Sequence, residues 1–132
     1  MSQQNVELVR AAYEAIARRD REALDAILAE SMDADFRFEA VLTGATYEGV
    51  DGFWQLLNDI EDTVGYTPEV QEAIDLDDHV LIVVRMSGRG SRSGVSVAQQ
   101  GAVLFSFDGT RLQWGKSFAS KAEALEAVGR RE

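Results

Sequence analysis

After Pro68, the only proline of the chain, the sequence divides into four segments with the apolar and β-branched composition of β-strands. These segments are residues 69–76, 80–88, 95–107 and 111–118. Three turn signals separate them: Asp77-Asp78, the glycine-rich stretch from Gly88 to Gly94, and Asp108-Gly109, which is the strongest hairpin signal of the three. Short connections join antiparallel neighbours, so the second half of the chain is predicted to form an antiparallel meander.

The first half of the chain shows the three-to-four-residue apolar spacing of amphipathic helices instead. One helix is predicted over about residues 5–18, and Asp20 is the predicted N-cap of a second helix. Residues 35–39 alternate as a short strand before a third helix over residues 51–65. A capping box opens a last short helix within residues 120–129.

This order of elements is typical of one α+β domain over residues 1–132. A curved antiparallel sheet is expected to carry three helices on one face, followed by a short C-terminal helix. Residues 80–84 are apolar at every position, so both faces of that strand are expected to be covered. Another copy of the chain is the simplest cover, which predicts a homodimer through the outer face of the sheet.

The net charge of −10 is spread unevenly along the 132 residues. Residues 1–78 carry 19 acidic and 5 basic side chains, whereas residues 79–122 carry 1 acidic and 6 basic ones. Nucleic acids and anionic membranes select basic surfaces, so neither is an expected partner. The acidic half is interpreted as solvated helix faces.

The chain has no cysteine and one histidine, which excludes a disulfide framework and a thiolate or His-rich metal site. No cofactor is predicted. The longest apolar run is residues 80–84, and the first residues lack the pattern of a signal peptide, so a cytoplasmic location is expected.

Several stretches resemble the SnoaL-like family of the nuclear-transport-factor-2-like superfamily. Relatives in that superfamily include ketosteroid isomerases, polyketide cyclases and limonene-epoxide hydrolases. The resemblance implies a cystatin-like α+β barrel with a cone-shaped pocket, often binding apolar or ring-shaped molecules, and commonly a homodimer. It rests on Ala11–Ile16 with Arg19-Asp20 and Ala23-Leu24, on Tyr47-Glu48-Gly49 with Gly52 and Trp54, and on Ser117–Gly129.

This chain does not match the catalytic residues of the ketosteroid isomerases. The positions of their tyrosine, their catalytic base and their protonated aspartic acid align with Ala12, Phe38 and about Val103. That isomerisation requires a carboxylate base and a neutral donor in an apolar site. The apolar residues here supply neither group.

The Asp-Arg-Asp arrangement of the epoxide hydrolases is matched only at its arginine, which aligns with Arg85. Its carboxylate positions carry Ser87 and Lys116. Arg85 and Lys116 are weak catalytic candidates because they could hold an enolate, carboxylate or carbonyl oxygen if both point into the cone. Glu39, at the end of the first strand, is a weak candidate for a general base.

A ligand inside the cone would be lined by aromatic side chains and a few polar groups. Alternation sends one of Gln99 and Gln100 to each face of the sheet, so one of them is expected to face the pocket. The predicted ligand-binding residues are Tyr13, Phe38, Tyr47, Trp54, Arg85, Gln99, Val103, Trp114 and Lys116.

Three functions remain open at this point. The leading hypothesis is a protein that binds a small apolar or ring-shaped molecule, with no reaction assigned. The alternatives are an isomerase, cyclase or hydrolase that uses an Arg, Lys, Gln or Tyr to stabilise an oxyanion, and a non-catalytic dimerisation module. In the last case the cone would be filled by Phe36, Phe38, Phe105 and Trp114. A cavity of roughly 300 Å³ or more with convergent polar groups would favour the first two functions.

Overall fold

The computed structural model describes residues 2–40, 44–64, 67–89 and 96–129. No helix among them is long and apolar enough to cross a membrane. The elements are α1 Ser2–Arg18, α2 Arg21–Ser31, β1 Met32–Glu39, β2 Thr46–Glu48, α3 Gly49–Val64, β3 Thr67–Asp75, β4 His79–Arg89, β5 Ser96–Asp108, β6 Arg111–Phe118 and α4 Lys121–Ala127.

The helix termini follow the predicted local chemistry. The side chain of Asp20 accepts a hydrogen bond from the Ala23 amide at 3.1 Å, which caps α2. Ser120 accepts from the Glu123 amide at 3.2 Å and so begins α4. The predicted stop of α3 at Gly65 lies outside the described residues.

The predicted meander is confirmed: β3, β4, β5 and β6 are antiparallel neighbours in chain order. The full order is β2-β1-β6-β5-β4-β3, in which β1 lies parallel to β6. Sequence reading missed the short strand β2, which pairs with the end of β1. Two of the predicted turns lie at Asp77 and Gly109, both with positive φ, whereas the turn within 90–95 lies outside the described residues.

The inner face of the sheet and the three long helices form the main core. Alternation along β4 directs Val80, Ile82 and Val84 to this face, all of them buried. The helices and β1 supply the rest, including Val9, Leu24, Leu28, Phe36, Phe53 and Leu56. The predicted α+β class, with three helices on one face, is confirmed.

The outer face of the sheet is covered in part by the chain itself. Leu81 and Leu104 are fully buried there, in a second apolar cluster with Ala124 and Leu125 of α4. The side chains of β4 are apolar on both faces of the strand because each face packs into a different apolar cluster, one on the inner and one on the outer face of the sheet. Around Leu81 the cover is α4, where the sequence alone suggested a second copy of the chain.

Candidate functional site

The interior of the cone is filled by aromatic side chains. The ring of Phe105 lies 6.2 Å from that of Phe38 and 6.3 Å from that of Tyr13, centroid to centroid. Beneath them Gly115 leaves the space that the rings occupy, since a Cβ there would lie 2.7 Å from Cδ2 of Phe38. The cavity beside Tyr13 and Phe105 has a volume of about 20 Å³, enough for about one water molecule.

The described interior offers no carboxylate or imidazole for proton transfer. Its buried polar residues are Asn5 and Ser31, whereas the buried Ser106 lies on the outer face of the sheet opposite His79 and Trp114, and no carboxylate among the described residues is buried. The Asn5 amide donates to the carbonyl oxygen of Gly109 at 2.9 Å, which ties α1 to the β5–β6 turn. A general base would need a carboxylate or imidazole within hydrogen-bond reach of a ligand, and the described cone lining holds neither.

Two predicted pocket residues on β6 lie on the outer face instead, which corrects their placement. Trp114 packs against the outer cluster and meets the His79 ring edge-on at 5.7 Å. The ammonium group of Lys116 lies 5.5 Å from the centroid of the Phe118 ring, and Phe118 also packs against that cluster. The cause is an irregularity in the pairing of β5 with β6, between Ser106 and Phe107. It reverses the face of the sheet to which the β6 side chains after Leu112 point.

Arg85 also faces outward. It follows the inner residue Val84 on β4, it is exposed, and its register partner on β5 is Gln100. The side-chain amide of Gln100 donates to Gln71 at 2.6 Å on this face. The side chain of Gln99 lies outside the described residues.

The structure brings Glu39 and Lys116 together, but on the outer face and away from the core. They are register partners on β1 and β6, and both are exposed. Tyr47 is buried, and its hydroxyl donates to Asp59 of α3 at 2.7 Å, a contact that joins β2 to α3. Phe38 and Val103 lie in the inner core as expected.

A larger cavity lies outside the cone, between the α1–α2 turn and α3. This cavity, the helical groove, has a volume of about 240 Å³. Its floor is apolar, and its exposed rim is polar. The floor consists of Ala15, Ile16, Leu24 and Leu57, the rim of Arg19, Asp20, Arg21 and Asn58, and Trp54 completes the lining.

Trp54 and Arg21 form the most specific contact of the helical groove. The guanidinium carbon of Arg21 lies 4.5 Å from the centroid of the Trp54 ring, a cation–π arrangement between α2 and α3. Trp54 and Leu57 are three residues apart on α3, so both face the groove from one side of that helix.

The backbone between α1 and α2 positions the rim. The Arg19 amide bonds the Ile16 carbonyl at 3.1 Å, and the Asp20 amide bonds the Ala15 carbonyl at 2.9 Å. This is the pattern of a Schellman motif, whose left-handed position usually belongs to glycine. Here Arg19 takes that position with φ +59°, so a charged side chain stands at the edge of the groove.

Of the predicted ligand-binding residues whose side chains are described, Trp54 alone lines the helical groove. The sequence offers one further signal, the run Arg18-Arg19-Asp20-Arg21, which predicts a helix end and an N-cap. No local pattern shows that this turn meets α3. Ile16 of α1 lines both the groove and the small interior cavity.

The structure resembles solved structures of several bacterial proteins along nearly its whole length. A hypothetical protein with a ketosteroid isomerase-like fold from Catenulispora acidiphila, solved with trimethylamine, matches with a TM-score of 0.72 and 20% identity over 95% of this chain and 94% of the other. An NTF2-like protein from Burkholderia thailandensis matches with a TM-score of 0.75 and 21% identity over 94% and 96% of the two chains.

A third similar structure is that of TerC, co-crystallised with polyporic acid. It matches with a TM-score of 0.72 and 17% identity, over 94% of this chain and 97% of the other. At these identities the likeness establishes the fold. A comparison with curated proteins finds no match.

The sequence itself matches the model of the SnoaL-like domain over residues 9–113. This range begins within α1 and ends within β6, so it contains every described lining residue of the helical groove and most of the cone. The chain therefore belongs to the SnoaL-like domain family.

Proposed function

We propose that this SnoaL-like protein binds a small, largely apolar, ring-shaped molecule in the helical groove. The observation that carries the proposal is the contrast between two cavities. The groove has a volume of about 240 Å³ with an apolar floor and a polar rim, whereas the cavity beside Tyr13 and Phe105 has about 20 Å³. Concave apolar sites with a few polar groups are typical of small-molecule binding.

Two structures of similar fold support small-molecule binding in general terms. The protein from Catenulispora acidiphila was solved in complex with trimethylamine, and TerC was co-crystallised with polyporic acid. Neither ligand is transferred to this chain, because the identities are 20% and 17%.

The test is an NMR titration of the ¹⁵N-labelled protein with neutral single-ring and fused-ring probes such as indole and 2-naphthol. Binding in the groove predicts shifts of the Trp54 indole signal and of the amides of Ala15 and Leu24. Shifts confined to residues around Phe105, or no shift with any probe, would contradict the proposal.

A matched pair of variants locates the site. Asn58→Trp places a large side chain on the groove rim, and it should reduce binding at least about tenfold by filling the volume. Ala26→Trp adds a similar bulk at an exposed position of α2 outside the groove, and it should leave binding unchanged. Equal effects of both substitutions would count against the groove.

A non-catalytic dimerisation module is a second candidate, and the filled aromatic interior favours it. The surface proposed for the homodimer is the part of the outer sheet face that α4 leaves uncovered, where Glu69 of β3 and Arg85 of β4 are exposed. There Glu69 and Arg85 are register partners. A two-fold axis through this surface would place Glu69 of one copy beside Arg85 of the other.

Light scattering coupled to size-exclusion chromatography tests the dimer. The wild type should elute with twice the chain mass, and Arg85→Glu should shift the equilibrium toward monomer by like-charge repulsion. Arg37→Glu, at an exposed position on β1, is the control and should remain dimeric. A monomeric wild type at micromolar concentration would contradict the homodimer.

The enzymatic alternative receives less support than binding. Its candidate groups Arg85, Lys116 and Glu39 are all exposed on the outer face, and they do not converge on a cavity in the described part of the chain. The cytoplasmic location and the independence from a cofactor stay predictions from the sequence.

A further inference from the structure

We propose that the helical groove selects anionic ring molecules, with the guanidinium of Arg21 binding the acid group while the ring lies on the apolar floor. This inference rests on the proposed binding function and adds the chemical class of the ligand. Three features of the groove carry it: the arrangement of Arg21, the balance of charge on the rim, and the size of the apolar floor.

Arg21 is held in place by an aromatic ring. Its guanidinium carbon lies 4.5 Å from the centroid of the Trp54 ring. A guanidinium stacked on an aromatic face keeps its N–H donors in a rigid fork that matches a carboxylate. Pre-positioning of this long side chain lowers the entropy lost when an anion binds. The contact therefore prepares Arg21 to bind an acid group at the groove edge.

The rim charge favours an anion, although the protein as a whole is acidic. Among the described residues of the lining, Arg19 and Arg21 are basic and Asp20 is acidic. That acid already has partners, since Oδ1 of Asp20 accepts from the Ala23 amide at 3.1 Å and Oδ2 lies 3.8 Å from Arg18. Although the whole chain has a net charge of −10, the run Arg18-Arg19-Asp20-Arg21 carries three basic side chains and one acidic one, a local excess of positive charge.

The floor sets the size and polarity of the rest of the ligand. Ala15 and Leu24 are 1% and 2% exposed, so the floor is a continuous part of the apolar core surface. A volume of about 240 Å³ is below the roughly 300–1,000 Å³ of drug-sized sites. One ring or two fused rings bearing a single acid group fit this description better than a steroid-sized molecule.

The experiment compares two probes of nearly equal shape, 2-naphthoate and its neutral amide, by isothermal titration calorimetry and by the indole NMR signals. The wild type should bind 2-naphthoate about tenfold more tightly than 2-naphthamide, as expected of one partly solvated hydrogen bond to a charged group. Arg21→Gln should reduce this preference to less than about twofold, chiefly by weakening 2-naphthoate binding.

Arg37→Gln is the matched control, since it removes the same charge from an exposed position on β1 and should retain the preference. Equal affinities for both probes in the wild type, or a preference that survives in Arg21→Gln, would overturn the inference and leave the groove as a neutral-ring site. If neither probe moves the Trp54 signal and the neutral probes of the previous section also fail, the binding function itself is overturned.

Discussion

Gly115 of β6 lies directly against the ring of Phe38 on β1, so closely that a Cβ at position 115 would be 2.7 Å from Cδ2 of that ring. The same Cβ would be 3.0 Å from two carbon atoms of Phe105. Filling the cone with aromatic rings thus requires a residue without a side chain on the strand between them. The relationship explains why the interior beside Tyr13 retains so little free volume.

Gly115→Ala should therefore destabilise the fold by about 1–3 kcal/mol through overpacking. Urea denaturation followed by circular dichroism measures the change. Gly101→Ala on β5 is the control, because the nearest described atom to its Cβ would be the Phe118 carbonyl oxygen at 3.4 Å, and it should cost less than about 1 kcal/mol. A larger loss in Gly101→Ala than in Gly115→Ala would contradict this account of the interior.

Tyr47→Phe should lower the free energy of unfolding by about 1.5 kcal/mol, the low end for a hydrogen bond to a charged group. The substitution removes the 2.7 Å bond from the Tyr47 hydroxyl to Asp59, which joins β2 to α3. Gln55→Ala removes the exposed 2.8 Å bond to the same carboxylate within α3 and should cost less. Thermal and urea unfolding of both variants measure the two losses of stability. A larger loss in Gln55→Ala than in Tyr47→Phe would refute the role of this contact.

Arg19→Gly should raise stability by up to about 1 kcal/mol, because glycine adopts the φ of +59° without the steric cost that arginine bears. The same change should weaken 2-naphthoate binding, since it removes a positive charge from the groove rim. Asp77→Gly, at φ +70° in the β3–β4 turn, is the control for backbone relief. It should leave binding unchanged, and an equal loss of binding there would contradict the prediction.

Asp20→Asn should strengthen 2-naphthoate binding by roughly two- to fivefold while leaving α2 stable. Asparagine still accepts the hydrogen bond from the Ala23 amide, so the N-cap is retained, and a negative charge is removed from the described lining of the groove. Calorimetry at low salt measures the gain. Weaker anion binding in Asp20→Asn would indicate that this carboxylate helps to organise the site.

Local sequence signals predicted most of the fold. The N-caps Asp20 and Ser120, the apolar spacing of the helices and the alternation of β4 each depend on neighbours close in the chain, and each corresponds to the element expected. The strand β2 was missed because its three residues gain their conformation from pairing with β1.

The site was harder to predict, for two physical reasons. A single register irregularity in the β5–β6 ladder moves Trp114 and Lys116 to the outer face, and strict alternation cannot foresee it. The helical groove arises where the α1–α2 turn meets α3, about thirty residues further along the chain, so no short pattern contains it. Arg21 and Trp54 are informative only once they are seen together.

The most direct test of the central claim is a crystal structure of the wild-type protein soaked with 2-naphthoate. The account predicts the naphthalene ring on the floor formed by Ala15 and Leu24, with its carboxylate within hydrogen-bond distance of the Arg21 guanidinium. A ring bound instead inside the cone, between Tyr13 and Phe105, would contradict it.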